Sequence, residues 1–159
     1  MKIGLIINPI AGMGGKTGLK GTDGAEVVTQ AISLGAKRES ASRAEQVLLS
    51  LTHLNKGFSI FTCSGEMGED TCKKIGITPR IVTETTTGNT TSSDTIKAVH
   101  KLVESRVTLI LFSGGDGTAC DILTVVPEDV PILGIPAGVK MHSAVFGTSP
   151  SAVATLVSR

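Results

Sequence analysis

Apolar residues in this chain come in short, dense runs divided by polar, glycine-rich stretches. "KIGLII", "FSIFTC", "RIVTE", "VTLILF" and "PILGIP" each have the length and β-branched character of a strand. Between them the period changes. From Glu39 to Leu54 the apolar positions are Ala44, Val47, Leu48, Leu51 and Leu54, the 3.6-residue spacing of an amphipathic helix. Ile96, Val99, Leu102 and Val103 repeat that spacing further on, and Asp94 in the first turn suits the positive end of the helix dipole. Shorter helices are predicted for "AEVVTQAISLG", stopped by Gly35, for "EMGEDTCKKIG", ending at Gly76, for "TACDILTVV" and for "SPSAVATLVSR".

Strand and helix in alternation mean βα units. The expected fold is a doubly wound α/β domain, a mostly parallel sheet with helices on both faces. Runs as apolar as "VTLILF" and "KIGLII" fit strands buried on both sides. Ligands in such folds bind beyond the carboxyl ends of the strands. The loops of interest are therefore "NPIAGMGGKTG", "TTTGNTTSSD", "SGGDGT" and "GIPAGVKMHS".

Composition removes several function classes. The 159 residues carry a formal net charge of +1, so no basic excess points to nucleic acid. Trp and Tyr are absent and Phe is sparse, a poor basis for a base-stacking platform or a flavin site. No apolar stretch is long enough to span a bilayer, and the N-terminus lacks a signal peptide's length and cleavage site. Cys63, Cys72 and Cys120 have no metal-ligand spacing and are odd in number, which fits reduced thiols in a cytoplasmic protein. His53, His100 and His142 stand singly.

The loops differ in how much they specify. "GMGGKTG" approaches a Walker A loop, but the first glycine of that motif would fall on Ile10. A flexible glycine loop with one lysine is left, either a phosphate wrap or a mobile connection. Thr90 and Thr91 could hydrogen-bond phosphate, or Thr91 could belong to a helix cap. Lys140 and His142, after the last strand, could contact phosphate or face solvent. "SGGDGTA" is more specific. Gly114 and Gly115 allow close backbone approach to a ligand, and the helix that follows presents N–H groups to an anion. A carboxylate there repels phosphate, so Asp116 needs a reason. It could hold Mg²⁺ that bridges to phosphate oxygens, or take the proton of a hydroxyl attacking a γ-phosphoryl group. The plainer alternative is that Asp116 caps the helix.

These residues resemble a known family. "NP.AG.GG" after the first strand, "GGDGTA.DI" after the fourth and "GIPAGVKMHSAVF" after the fifth are similar to the ATP–NAD kinase family. The likeness is to the bacterial and archaeal branch related to acetoin-catabolism proteins of the AcoX type. "LGAKRESASRAEQVLLSL" and "TTSSDTIKAVHKLVE" extend it over nearly the whole chain. The GGDGT signature is shared more widely, with diacylglycerol and sphingosine kinases and loosely with 6-phosphofructokinases.

The resemblance implies a Rossmann-like fold and phosphoryl transfer from ATP or polyphosphate, with Mg²⁺, to the 2′-hydroxyl of NAD, giving NADP. Asp116 would be the catalytic carboxylate and the metal holder. Gly114, Gly115, Gly117 and Thr118 would form the nucleotide-phosphate turn, with Asn8, Gly12, Gly14 and Gly15 contributing. Nucleotide substrates and a homo-oligomer are implied; nucleic acid and membrane partners are not. Residues 1–159 correspond to the family's N-terminal α/β domain, and its C-terminal β-rich domain is expected to be absent, leaving Val145 and Phe146 at an exposed surface. Rival readings are a non-catalytic nucleotide-binding domain and a kinase of a lipid or small metabolite on the same fold.

Overall fold

The computed structural model describes residues 1–13, 26, 29, 30, 33, 35, 38–54, 57–86, 88, 90–137 and 141–159. Five strands, β1 (Lys2–Ile7), β2 (Ser59–Cys63), β3 (Arg80–Thr83), β4 (Leu109–Gly114) and β5 (Ile132–Pro136), form one sheet. Its order is β3-β2-β1-β4-β5 and every pairing is parallel. The order reverses direction between β1 and β4, which places a crevice beyond their carboxyl ends.

Helices α1 (Ser40–His53), α2 (Glu69–Lys74), α3 (Ser92–Glu104), α4 (Asp116–Leu123) and α5 (Pro150–Val157) accompany the strands. Side chains alternate across the pleat. Ile3, Leu5 and Ile7 of β1, with Leu111 of β4, pack against Ala44, Val47, Leu48 and Leu51 of α1 and Val153, Ala154 and Val157 of α5. On the other face Ile6, Ile110 and Phe112 meet Ala98, Val99 and Leu102 of α3 and Ala119 and Ile122 of α4. Gly4 is a point of close approach: a Cβ there would lie 2.9 Å from Leu102 Cδ1.

Several boundaries differ from the expectation, each for a local reason. "EMGEDTCKKIG" is not one helix but a 3₁₀ turn, Gly65–Met67, followed by α2. Gly68 separates them at φ 154°, a conformation that interrupts helix and suits glycine. β4 runs two residues past "VTLILF", because Ser113 and Gly114 still pair with Ile135 and Pro136 of β5. α4 starts at Asp116, not Thr118, with Gly115 as its N-cap. Val145 and Phe146 are half-buried, not an exposed patch. Phe146 lies edge-on to Phe112 with ring centroids 5.3 Å apart, and Gly134 leaves the space its ring occupies. Most of "AEVVTQAISLG" lies outside the described residues, as do Gly14, Gly15 and Lys140; Glu26, Thr29, Gln30 and Ser33 of that stretch are helical.

Candidate functional site

The loops after β1 and β4 are tied together at the reversal of the sheet. The backbone N–H of Asn8 donates to Ser113 O at 2.9 Å, extending the β1–β4 ladder by one bond. Its side chain then does two things. Oδ1 accepts from Ile10 N–H at 3.2 Å, which turns the chain, and Nδ2 donates to Thr118 Oγ1 at 2.9 Å. Gly12 follows at φ 79°, where a side chain would be strained. Beneath this edge lie two fully buried serines. Ser113 Oγ donates to Ser40 O at 2.8 Å, and Ser40 Oγ to Ala11 O at 3.4 Å. The start of α1 is thereby fastened under the same loops.

The three glycines of "GGDGT" have different surroundings. A Cβ on Gly114 would lie 2.6 Å from Thr118 Oγ1 and 2.7 Å from Thr118 Cβ, so glycine is required for the turn to close. A Cβ on Gly115 or Gly117 would meet nothing within 4 Å. Packing does not demand those two glycines. They leave open space at the amino end of α4, where no side chain among the described residues caps the helix and the first-turn N–H groups lack intrahelical partners. An uncapped helix start with open space above it favours an anion.

Asp116 occupies the first turn of α4 but does not cap it. Its Oδ2 accepts from His142 N–H at 2.9 Å. Its Oδ1 accepts twice, from Ser143 N–H at 3.1 Å and Ser143 Oγ at 2.7 Å. The carboxylate therefore binds α4 to the segment after β5. The His142 N–H bond, then the Ser143 hydroxyl and N–H, hold the Asp116 carboxyl below the usual aspartate range, against a smaller opposing effect of burial. Asp116 is ionised at neutral pH.

Thr90 and Thr91 follow the edge strand β3, two strands from β1 in the sheet. Thr91 is the N-cap of α3: its N–H donates to Asp94 Oδ2 at 2.8 Å and its hydroxyl to the same oxygen at 3.0 Å. Several polar groups near that edge are engaged with one another. Thr85 N–H donates to Ser64 Oγ at 2.9 Å, Gly88 N–H to Glu66 Oε2 at 2.9 Å, and Arg38 pairs with Glu66 Oε1 at 2.9 Å. Ser64, Glu66 and above all Ser143 escaped the sequence reading. Ser143 is 27 positions from Asp116, and no local spacing signals that pair.

A parallel 3-2-1-4-5 sheet with a glycine-rich turn opening a helix at the reversal point defines a Rossmann-like, nucleotide-binding class of α/β protein. Residues 3–159 match the family model of the ATP-NAD kinase N-terminal domain, and the chain belongs to that family. Comparison with curated proteins and with solved structures returns no match. The chain is thus a kinase-like nucleotide-binding domain. Among the described residues, no helix is long and apolar enough to cross a membrane.

The family generally uses ATP, Mg²⁺ and NAD. Among the described residues, no group of three or more His, Cys, Asp or Glu could hold a metal. Mg²⁺ also binds through one carboxylate with substrate phosphates and waters as the other ligands. Asp116 fits that mode. Oδ1 has both lone pairs engaged, whereas Oδ2 accepts one bond and keeps one lone pair free.

Proposed function

We propose that this domain binds the phosphates of ATP, or of polyphosphate, and transfers a phosphoryl group to the 2′-hydroxyl of NAD, forming NADP. The observation that carries the proposal is the open, uncapped amino end of α4 beside an ionised carboxylate with one free lone pair. In this reading Gly115, Gly117 and the first-turn N–H groups receive phosphate oxygens. Gly114 and Thr118 shape the turn, and Asn8 holds Thr118 and the loop after β1, with Gly12 and the following Gly14 and Gly15, against it. Asp116 offers Oδ2 to Mg²⁺, which when bound would offset phosphate charge, or to the proton of the attacking hydroxyl. Thr91 serves α3, and Thr90 lies on the same loop after the edge strand, two strands from β1, so neither is assigned a phosphate contact.

Residues 1–159 would then be one α/β domain, and a second, β-rich domain would supply the acceptor side of the cleft. The protein is taken as cytoplasmic, consistent with its free cysteines, and as a homo-oligomer on the family resemblance alone. Cys63 and Cys72 are buried, and burial pushes their thiols up to about 12 and about 11, which suits inert, reduced side chains.

The low proton affinity of Asp116 favours a second reading, nucleotide binding without turnover. A carboxylate that holds protons weakly is a poor general base. The test is NADP formation by the purified chain with NAD, Mg²⁺ and either ATP or polyphosphate, beside Asp116→Asn. Formation that falls at least about 100-fold in the variant supports phosphoryl transfer through Asp116. Nucleotide binding without NADP sinks a self-sufficient enzyme, and the same assay with the β-rich domain present then separates an incomplete cleft from the second reading. Neither binding nor turnover sinks both.

A further inference from the structure

We propose that Ser143 is a positioning residue for Asp116, selecting Oδ2 as the single carboxylate oxygen open to a metal-bound nucleotide. The proposal rests on the function given above. Two backbone N–H groups, of His142 and Ser143, reach one carboxylate oxygen each. Alone they would leave the two oxygens equivalent, each with one lone pair free. The Ser143 hydroxyl breaks the tie. At 2.7 Å from Oδ1 it fills that oxygen's remaining site and leaves Oδ2 as the open one.

The segment that carries Ser143 is anchored where this selection needs it. Gly134 N–H donates to Val145 O at 2.8 Å, and Gly147 N–H to Gly134 O at 3.0 Å, so residues 145–147 lie along β5. Phe146 is seated over Gly134 against Phe112. Three residues before that anchor, Ser143 has little freedom to leave Asp116. The hydroxyl is not needed to satisfy a buried group, because Ser143 and Asp116 are both only half-buried. A hydrogen bond in such a place contributes modestly to stability. Its consequence for which oxygen is available is the larger effect.

The experiment is calorimetric titration of ATP, with excess Mg²⁺ and with EDTA, into the wild-type chain, Ser143→Ala and Ser143→Thr. Positioning predicts that Ser143→Ala weakens Mg·ATP binding about tenfold or more, the size of one hydrogen bond to a charged group. It leaves metal-free ATP binding unchanged, and Ser143→Thr, which keeps the hydroxyl, stays near wild type. No change in Ser143→Ala overturns the proposal. An equal loss with and without Mg²⁺ also overturns it and makes Ser143 a structural contact. A wild-type chain that binds ATP in neither condition overturns the nucleotide-binding function itself, and the role of Ser143 falls with it.

Discussion

Two loops of this protein read alike in sequence and differ in structure. The turn after β4, "SGGDGT", and the loop after β3, "TTTGNTTSSD", both combine glycine with hydroxyl side chains ahead of a helix. At the first, the helix start is uncapped and Gly115 and Gly117 face open space. At the second, the helix start is closed: Thr91 and Asp94 satisfy each other. Loop donors further back, Thr85 and Gly88, are bonded to Ser64 and Glu66. A hydroxyl in a sequence is therefore a weak sign of a ligand site. What separates the loops is whether the molecule has already used its own donors and acceptors.

The comparison is sharpest at Gly114. Its Cβ space is filled by Thr118, so Gly114→Ala is expected to cost about 1–3 kcal/mol of unfolding free energy, from urea denaturation. Gly117→Ala adds a methyl group to open space in the first turn of α4 and is expected to keep or raise stability, by up to about 1 kcal/mol. Its expected loss is in ATP affinity. Equal stability loss in both variants would remove the distinction between the packed and the open glycine.

Asp116→Asn is expected to destabilise the chain by about 1 kcal/mol at neutral pH, because a neutral amide bonds the Ser143 and His142 donors less well. The pH dependence has a definite sign. Asp116 titrates lower in the folded chain than unfolded, so its contribution is complete above the ordinary aspartate range. It fades as pH falls and is gone below the folded value. Urea midpoints of both chains should therefore converge on acidification; a constant gap would contradict the carboxylate clamp.

At the other loop, Asp94→Ala removes the partner of Thr91 and is expected to cost about 1 kcal/mol with ATP affinity unchanged. The smallest effect is expected at Thr90. Thr90→Ala should stay within about 0.5 kcal/mol of wild type and bind ATP equally well. Weakened binding in either variant would return the β3 loop to the site.

Much of this protein was legible in its sequence. Apolar period alone separated the strands from α1 and α3, because burial on a pleated or helical surface imposes a repeat of two or 3.6 residues. Alternation implied the parallel, doubly wound sheet, and Asp116 stood out because a carboxylate between glycines conflicts with a phosphate cradle. The tertiary structure decided what that carboxylate does. The partners of Asp116 are 26 and 27 residues away, on a segment held by the fit of Phe146 over Gly134. It likewise decided that Gly114 is packed while Gly115 and Gly117 are open, and that Asn8 spends its amide on Thr118. Local periodicity records which face of an element is buried. Which groups satisfy one another across the sheet edge depends on chain segments that only folding brings together.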